Sequence, residues 1–395
     1  MLHALRFVTA GESHGPGLTA LVEGLPAGLA LDLDAMNADM ARRQLGHGRG
    51  GRMKIEKDHV VVTSGVRFGK TLGGPISITV PNRDYQNWES RMNPWPVDEE
   101  PEPVKMPRPG HADLVGVWKY GADDVRNILE RASARETAAR VAGGTLARAF
   151  LKALGVEIRS RVVQIGPVVA PPLEAPLTVE DFDGVDDDPV RCLDPEASRE
   201  MVRHITLQRK ANESIGGTYE IQVFGLVPGV GSHTAWDERL NGRLMGAVGS
   251  IQAHKGVEIG EGFALAGTPG SQAHDEIFGG PEGIHRQTNH SGGLEGGMTT
   301  GEPLVIRAAV KPIPTMTKPL RSVDLETGEP AQALRERTDS CVVPAAGVVG
   351  EAMVALVLAD AYRQKFGGDH IDDVIAALER YRERIGWQTA TAPTS

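Results

Sequence analysis

The sequence predicts a mixed α/β (α+β) fold, and three observations carry that expectation. Short runs with apolar residues at every second position recur along the chain. Between them lie longer runs whose apolar residues return every three or four positions. Of 395 residues 40% are hydrophobic, enough for a large core, while 48 glycines and only 5% aromatics indicate small-residue packing and many turns. Length alone allows two or three domains at about 150 residues each, although α/β folds of this size also form one unit.

In chain order, residues 4–9 and 18–24 read as strands, and Asp34 reads as the N-cap of a helix ending near Gly46. Residues 60–66 and 76–80 form a second strand pair. Residues 88–107 are Pro-rich and acidic with no apolar period, which makes them a long surface loop of the kind that is usually mobile or functional. A short helix over 123–129 precedes a longer one over 134–154, whose apolar residues include Ala138, Val141, Ala142, Leu146, Ala149 and Phe150. Residues 167–189, acidic and rich in proline, read as a peripheral insertion without chemistry. A strand over 219–224, a helix over 238–248, a strand over 304–310 and a strongly apolar helix over 348–366 follow. Val22-Glu23-Gly24-Leu25-Pro26 is echoed by Val223-Phe224-Gly225-Leu226-Val227-Pro228, which hints at an internal duplication. The chain after residue 385, small and polar from Gln388, reads as a disordered tail.

A net charge of −10 argues against a nucleic-acid surface, which normally carries a broad basic excess. No basic segment leads into an apolar run at the N-terminus, and no stretch approaches the roughly 20 apolar residues that span a bilayer, so the expected compartment is the cytoplasm. Cys192 and Cys341 are too few for a disulfide framework or a zinc site. Twelve histidines show no metal-ligand spacing, and no metal is expected. The arginines, however, cluster. Arg42, Arg43, Arg49, Arg52 and Lys54 crowd one segment and Arg126, Arg131, Arg135 and Arg140 another, a distribution that suits a small polyanionic ligand.

Two glycine motifs are near misses. Gly46-His47-Gly48-Arg49-Gly50-Gly51 fits G-x-G-x-x-G but follows a helix and lacks a later acidic partner. Gly65 to Thr71 is one residue short of a P-loop. The first remains a flexible loop that can bring guanidinium groups onto an anion. Ser133-Ala134-Arg135-Glu136 reads as a capping box, with Ser133 as cap and Glu136 returning the bond, at a helix start that offers free N–H groups to an anion. Gln252 to Lys255 ends a helix, Gly292 to Gly297 is a glycine loop, and Lys311-Pro312-Ile313-Pro314-Thr315 is a rigid turn after a strand. Gly11-Glu12-Ser13-His14-Gly15 sets a hydroxyl beside an imidazole where a strand runs into a turn. His14 and His111 are acid/base candidates, and Asp339 is a carboxylate close to Arg337.

Four polar blocks in this order, around His14, Arg108-Pro109-Gly110-His111-Ala112-Asp113, Arg131 to Thr137 and Arg337-Thr338-Asp339-Ser340-Cys341, make the chain resemble the chorismate synthase family from Leu5 to about Gly368. The resemblance implies a single-domain β-α-β sandwich over residues 1–385 with an internal pseudo-duplication, assembled as a homotetramer. It implies a lyase of aromatic amino acid biosynthesis that eliminates phosphate from 5-enolpyruvylshikimate 3-phosphate and requires reduced FMN, with NADPH as a source of reductant. By the same resemblance FMN contacts fall on Arg131, Ala132, Ser133, Gln252, Ala253, Gly296, Lys311, Pro312, Ile313, Pro314, Thr315 and Arg337. Arg43, Arg49, Arg52 and Arg135 take the substrate, with NADPH an open alternative for Arg43 and Arg49. His14 becomes general acid toward the phosphate with Ser13 beside it, His111 addresses the flavin near N1, and Asp339 supports flavin N5. The residues alone leave two other classes standing, a flavin-dependent oxidoreductase and a non-enzymatic anion-binding protein.

Overall fold

The computed structural model describes residues 2–51, 55–280, 283–334 and 339–387. Arg52, Arg337 and the chain from 388 therefore lie outside the described residues.

Strand β1 (Arg6–Ala10) turns through Gly11 to Pro16 into β2 (Gly17–Glu23), where Leu18, Ala20 and Val22 alternate inward. Helix α1 (Leu33–Gln44) is capped by Asp32, whose carboxylate accepts the N–H groups of Asp34 at 2.9 Å and Ala35 at 3.2 Å. The cap is thus two residues earlier than the pattern predicts, because Asp34 is already inside the first turn. β3 (Val61–Ser64) pairs with β4 (Ile76–Pro81) as expected.

Three helices follow: α2 (Asp113–Tyr120), α3 (Arg126–Ala132) and α4 (Thr137–Ala153). α2 escapes the sequence reading because it buries only Asp113 and Gly116, so it has no apolar stripe to find. α3 starts three residues later than expected. β5 (Glu157–Ile165) and α5 (Pro195–Lys210) were not anticipated either, and both are dense in charge. β6 (Gly217–Phe224), α6 (Leu240–Gly249), β7 (His254–Ile259) and β8 (Leu304–Val310) come next. The chain ends in α7 (Val343–Phe366) and α8 (Ile371–Ile385). Beyond α8, Gly386 adopts the left-handed cap, and Trp387 lies so close to Gly301 that a Cβ there would meet its ring at 2.4 Å. These two residues belong to the packed body, not to a tail.

The strands form two antiparallel sheets of the same order, β1-β2-β4-β3 and β5-β6-β8-β7, with Val168–Val169 added at the β5 edge. In each set a helix follows the second strand (α1, α6), and a long helix comes after the fourth (α4, α7). The echoed glycines do the same job in both sets. Gly24, φ 94°, ends β2 so close to the neighbouring chain that a Cβ would lie 2.1 Å from the Ala4 carbonyl. Gly225, φ 78°, ends β6 with the Gly155 carbonyl at the same 2.1 Å. The topology therefore repeats, as the echo hinted.

α4 packs on the first sheet, α7 on the second, and the two helices pack on each other between the sheets. A glycine pair makes this fit. A Cβ on Gly144 would sit 2.4 Å from that of Ala352, and one on Gly143 would sit 2.4 Å from the Phe7 ring. α7 is apolar and long enough to cross a membrane by length and composition, contrary to the sequence reading, but it is the buried middle of the core. Its two interior carboxylates tie the layers together. Glu351 receives Arg42 at 2.8 and 2.9 Å, Ser160 at 2.6 Å, Arg191 at 3.2 Å and Arg148. Asp360 accepts the N–H groups of His3, Ala4 and Leu5 at 2.8, 2.7 and 2.7 Å, which pins the start of β1.

Candidate active site

A cavity of about 700 Å³ opens where the β1–β2 turn and the α3–α4 junction meet the α6–β7 turn and the segment after β8. Its floor is apolar, with Leu129, Ile251, Val342, Ala345, Ala346 and Val349. Its walls are basic. Among the described residues Arg43, Arg49, Arg91, Arg108, Arg126, Arg135, Lys255 and Lys311 line it, against one lining carboxylate, Asp339. Such a wall favours a ligand with several negative charges.

Three histidines line this space, His14, His111 and His254, and the first two are each backed by a carboxylate. Gly11, φ 105°, turns β1 away so tightly that a Cβ would lie 2.4 Å from the Gly17 carbonyl, and this turn delivers Ser13 and His14 to the cavity. His14 Nδ1 lies 2.9 and 3.0 Å from the Glu130 carboxylate, which also accepts the His14 backbone N–H at 2.8 Å. Burial raises the Glu130 carboxyl, but His14 and Arg126 more than offset it, so the group is held below its ordinary range as a carboxylate. His111 Nδ1 meets Asp113, the first residue of α2, and Arg108 Nε donates to the same carboxylate at 2.9 Å. Burial again opposes, and the His111 and Arg108 hydrogen bonds prevail, holding Asp113 well below the usual carboxylate range. A buried carboxylate on Nδ1 fixes the tautomer and orients each imidazole for proton transfer at its other nitrogen.

The arginines are pre-set by buried acids. Asp58 receives Arg135 Nη1 at 2.6 Å on one oxygen and Arg43 on the other. Arg135 Nε donates to Asn82 at 2.9 Å, and Arg43 Nη1 to Thr137 at 3.3 Å. Each keeps a buried nitrogen without a hydrogen-bond partner among the described residues, Arg43 Nε and Arg135 Nη2. On the other wall Arg49 Nη1 lies 2.9 Å from Asp339, whose second oxygen accepts the Gly50 N–H at 2.5 Å. Burial lowers the Arg49 guanidinium below its ordinary value despite Asp339. Asp339 thus anchors the glycine loop; its neighbour Arg337 lies outside the described residues.

The capping box is half formed. Ser133 Oγ accepts the Arg135 N–H at 3.2 Å and donates to Ser13 Oγ at 3.1 Å, but it caps a 3-10 turn, Ala134–Glu136, ahead of α4. Glu136 does not return the bond, because Thr9, Arg140 and Gln252 occupy it at 2.6, 2.8 and 3.0 Å. Gln252 and Ala253 do not end a helix either. They form the turn between α6 and β7, with Ala253 at φ 67°. His254 Nδ1 holds that turn at the Gln252 carbonyl, 3.1 Å, while its Nε2 takes Tyr219 Oη at 2.6 Å. Gln252 Oε1 is buried without a partner among the described residues.

Of the predicted site residues, the cavity gathers Ser13, His14, Arg43, Arg49, His111, Ala132, Ser133, Arg135, Gln252, Ala253, Lys311, Ile313, Pro314, Thr315 and Asp339. Arg131, Pro312 and Gly296 are not among its lining residues. Arg131 instead donates to the Thr9 and Gly11 carbonyls at 2.8 and 3.2 Å along β1, and Gly296 forms the tip of a separate hairpin, Leu294–Glu295 with Met298–Thr299. Sequence reasoning missed Glu130, Asp113, Asp58, Arg108 and Trp88. Arg108 and Asp113 had a local signal, since both stand in the same polar block as His111.

A family model described as chorismate synthase matches residues 5–362. The chorismate synthase of Thermobifida fusca (strain YX) is 54% identical over 392 residues, covering 96% of this chain and 99% of the relative. That of Rubrobacter xylanophilus is 53% identical over 380 residues, 96% and 97% of the two chains. A crystal structure of chorismate synthase superposes with a TM-score of 0.78 at 41% identity, covering 98% of this chain and 99% of that one.

Proposed function

Because the chain belongs to the chorismate synthase family of lyases, we propose that this cavity carries out the 1,4-elimination of phosphate from 5-enolpyruvylshikimate 3-phosphate to chorismate, with reduced FMN as cofactor. The observation that carries the reading is the pair of carboxylate-backed histidines inside a ring of arginines and lysines. The substrate has one phosphate and two carboxylates, and Arg43, Arg49 and Arg135, joined by Arg52, clamp them through charge-assisted bonds. Arg43 Nε, without a hydrogen-bond partner among the described residues, and Arg135 Nη2, which has only Glu56 at 3.8 Å, are the nitrogens left for that clamp.

In the elimination a C–H bond and the C–O bond to phosphate break and a second ring double bond forms. His14, held by Glu130, gives a proton to the departing phosphate, with the Ser13 hydroxyl beside it. His111, held by Asp113, would hold a proton toward N1 of a bound flavin, and Asp339 would support its N5 in removing the substrate proton. Reduced FMN, when bound, supplies electron density to the allylic centre and ends the turnover at its starting oxidation level.

The residues present fit a flavin. The unpartnered Gln252 Oε1 is an acceptor for a ring N–H, Lys311 and the rigid turn through Thr315 offer donors at its edge, and Ala132, Ser133 and Ala253 offer backbone. Arg131, Gly296, Pro312 and Arg337 complete the cofactor list by resemblance. The reading extends to one folded unit over residues 1–385, a homotetramer in the cytoplasm, and NADPH as the source of reductant.

The test is anaerobic. Phosphate release should be absent with oxidised FMN in air, and should run for many turnovers per flavin after dithionite reduction. NADPH oxidation in proportion to product, with oxygen excluded, would instead identify an oxidoreductase.

A further inference from the structure

The long loop expected over residues 88–107 begins at a residue that the reaction has not yet used. Trp88 ends a 3-10 turn, Arg83–Asn87, which follows β4 directly. Its N–H donates to the Tyr85 carbonyl at 2.7 Å, and its own carbonyl accepts from Arg91 and Met92 at 2.8 Å each, so the backbone at Trp88 is held on both sides. The indole stacks on the His14 ring with centroids 3.9 Å apart and planes at 24°. Two guanidinium groups lie over the same indole, Arg126 at 5.0 Å and Arg91 at 5.6 Å from its centroid. Arg126 also donates to Glu130 at 2.8 Å, and Glu130 is the carboxylate that holds His14 Nδ1. His14, Glu130, Arg126 and Trp88 therefore close a ring of contacts.

Glu130 and Trp88 restrain different motions of His14. Glu130 fixes one edge of the imidazole, but a ring held at one edge still rocks out of plane about that bond. A flat neighbour in stacking contact removes the rocking, because tilting the ring drives it into the indole. Proton transfer to a leaving oxygen depends on that alignment, and a misplacement of about 1 Å costs on the order of 100-fold in rate.

We propose that Trp88 is the positioning residue of His14, holding the imidazole face-on so that its proton is aligned with the departing phosphate. Charged groups among the described residues packed here include Glu130 on His14 itself and Arg126 and Arg91 over the indole, and none of these can replace a planar apolar support. The inference rests on the assignment of His14 as proton donor.

The experiment is a double-mutant cycle on the full-length enzyme, assayed by phosphate release with anaerobically reduced FMN. Trp88→Ala should lower kcat by about 10- to 100-fold and leave KM within about twofold, and Trp88→Phe, which keeps a flat ring, should recover most of the loss. In a His14→Ala background, Trp88→Ala should change kcat by less than about twofold, since a residue that acts through His14 has nothing left to align. A full additive loss in that background would overturn the proposal, as would wild-type kcat in Trp88→Ala. Full turnover in His14→Ala would refute the acid assignment itself, whereas a crippled His14→Ala beside an intact Trp88→Ala refutes this inference alone. A second readout needs no turnover: Trp88 emission, taken as wild type minus Trp88→Phe, should rise when His14 is replaced by alanine, and no rise would mean that the stack is not formed in solution.

Discussion

Replacing Asp58 by asparagine tests whether the arginine wall is held by buried acids or by the ligand alone. The wild-type carboxylate is fully buried and takes Arg135 on one oxygen at 2.6 Å and Arg43 on the other. Asparagine keeps one acceptor and turns an amino group toward the second guanidinium. One charge-assisted bond is lost, worth about 1.5–3 kcal/mol, and buried Arg43 is left without its counter-charge while Arg135 keeps Glu56 at 3.8 Å, which brings the loss to about 3–5 kcal/mol. The assay is equilibrium unfolding in urea at pH 7, with and without inorganic phosphate. Phosphate should stabilise the variant more than the wild type, because an anion in the cavity restores the missing charge. A loss under about 1 kcal/mol, the range of an exposed ion pair, would refute the reasoning. The pH dependence has a definite sign. Burial raises the Asp58 carboxyl, Arg43 and Arg135 outweigh it, and the folded value lies below the unfolded value of about 3.9. Its stabilisation is therefore present at neutral pH and fades as pH falls below about 4, so the gap between wild type and variant should close there.

Three further outcomes follow from the same geometry. His14→Ala and His111→Ala should each fold and bind FMN, seen by flavin absorbance, yet lose about 10²- to 10⁴-fold in phosphate release; normal turnover in either removes that residue from the mechanism. Arg49→Ala should weaken substrate binding by about 1.5–3 kcal/mol in calorimetry, and binding unchanged beside a lower melting temperature would make the glycine loop structural. Glu351→Gln should cost about 3–5 kcal/mol in urea unfolding without changing KM. Burial raises the Glu351 carboxyl, but Arg42, Arg148 and Arg191 hold it well below an unfolded value of about 4.3, so this loss too should shrink in acid.

What the sequence made legible follows from what alternation and turn chemistry can encode. β8 falls on residues 304–310 as read, because Leu304, Ile306, Ala308 and Val310 alternate inward without interruption. β5 was invisible because Ser160 stands on the inward face between Ile158 and Val162, where the pattern asks for an apolar residue, and Arg161 is buried on the opposite face. Its charge is met across the sheet by Glu220 at 3.0 Å, a partner 59 residues away. α5 and α8 carry apolar stripes at helical spacing, Ala197, Met201, Val202 and Ile205 in one and Ile371, Val374, Ile375, Leu378 and Tyr381 in the other, a signal that the sequence held and the reading passed over.

The candidate site divides along the same line. Residues beside glycine turns, such as Ser13, His14 and the Lys311 to Thr315 turn, stand out because a turn exposes what it carries. The carboxylates behind them do not. Glu130 is an ordinary helical acid in the sequence and becomes a histidine's partner only because the β1–β2 turn reaches α3, 116 residues on. Asp58 acquires its role when α1 brings Arg43 and the α3–α4 junction brings Arg135 to its two oxygens. Trp88 read as the start of a polar loop, and only the stack on His14 gives it a place in the site. The groups that meet a ligand are thus written locally, while the groups that orient them are written in the topology. The doubled architecture makes this distinction physical. Both halves end their second strands on equivalent glycines, yet the paired histidines come from the first half and the Gln252 and Lys311 turns from the second. The two sets of residues line one cavity only because the α4–α7 contact at Gly144 and Ala352 brings the halves together.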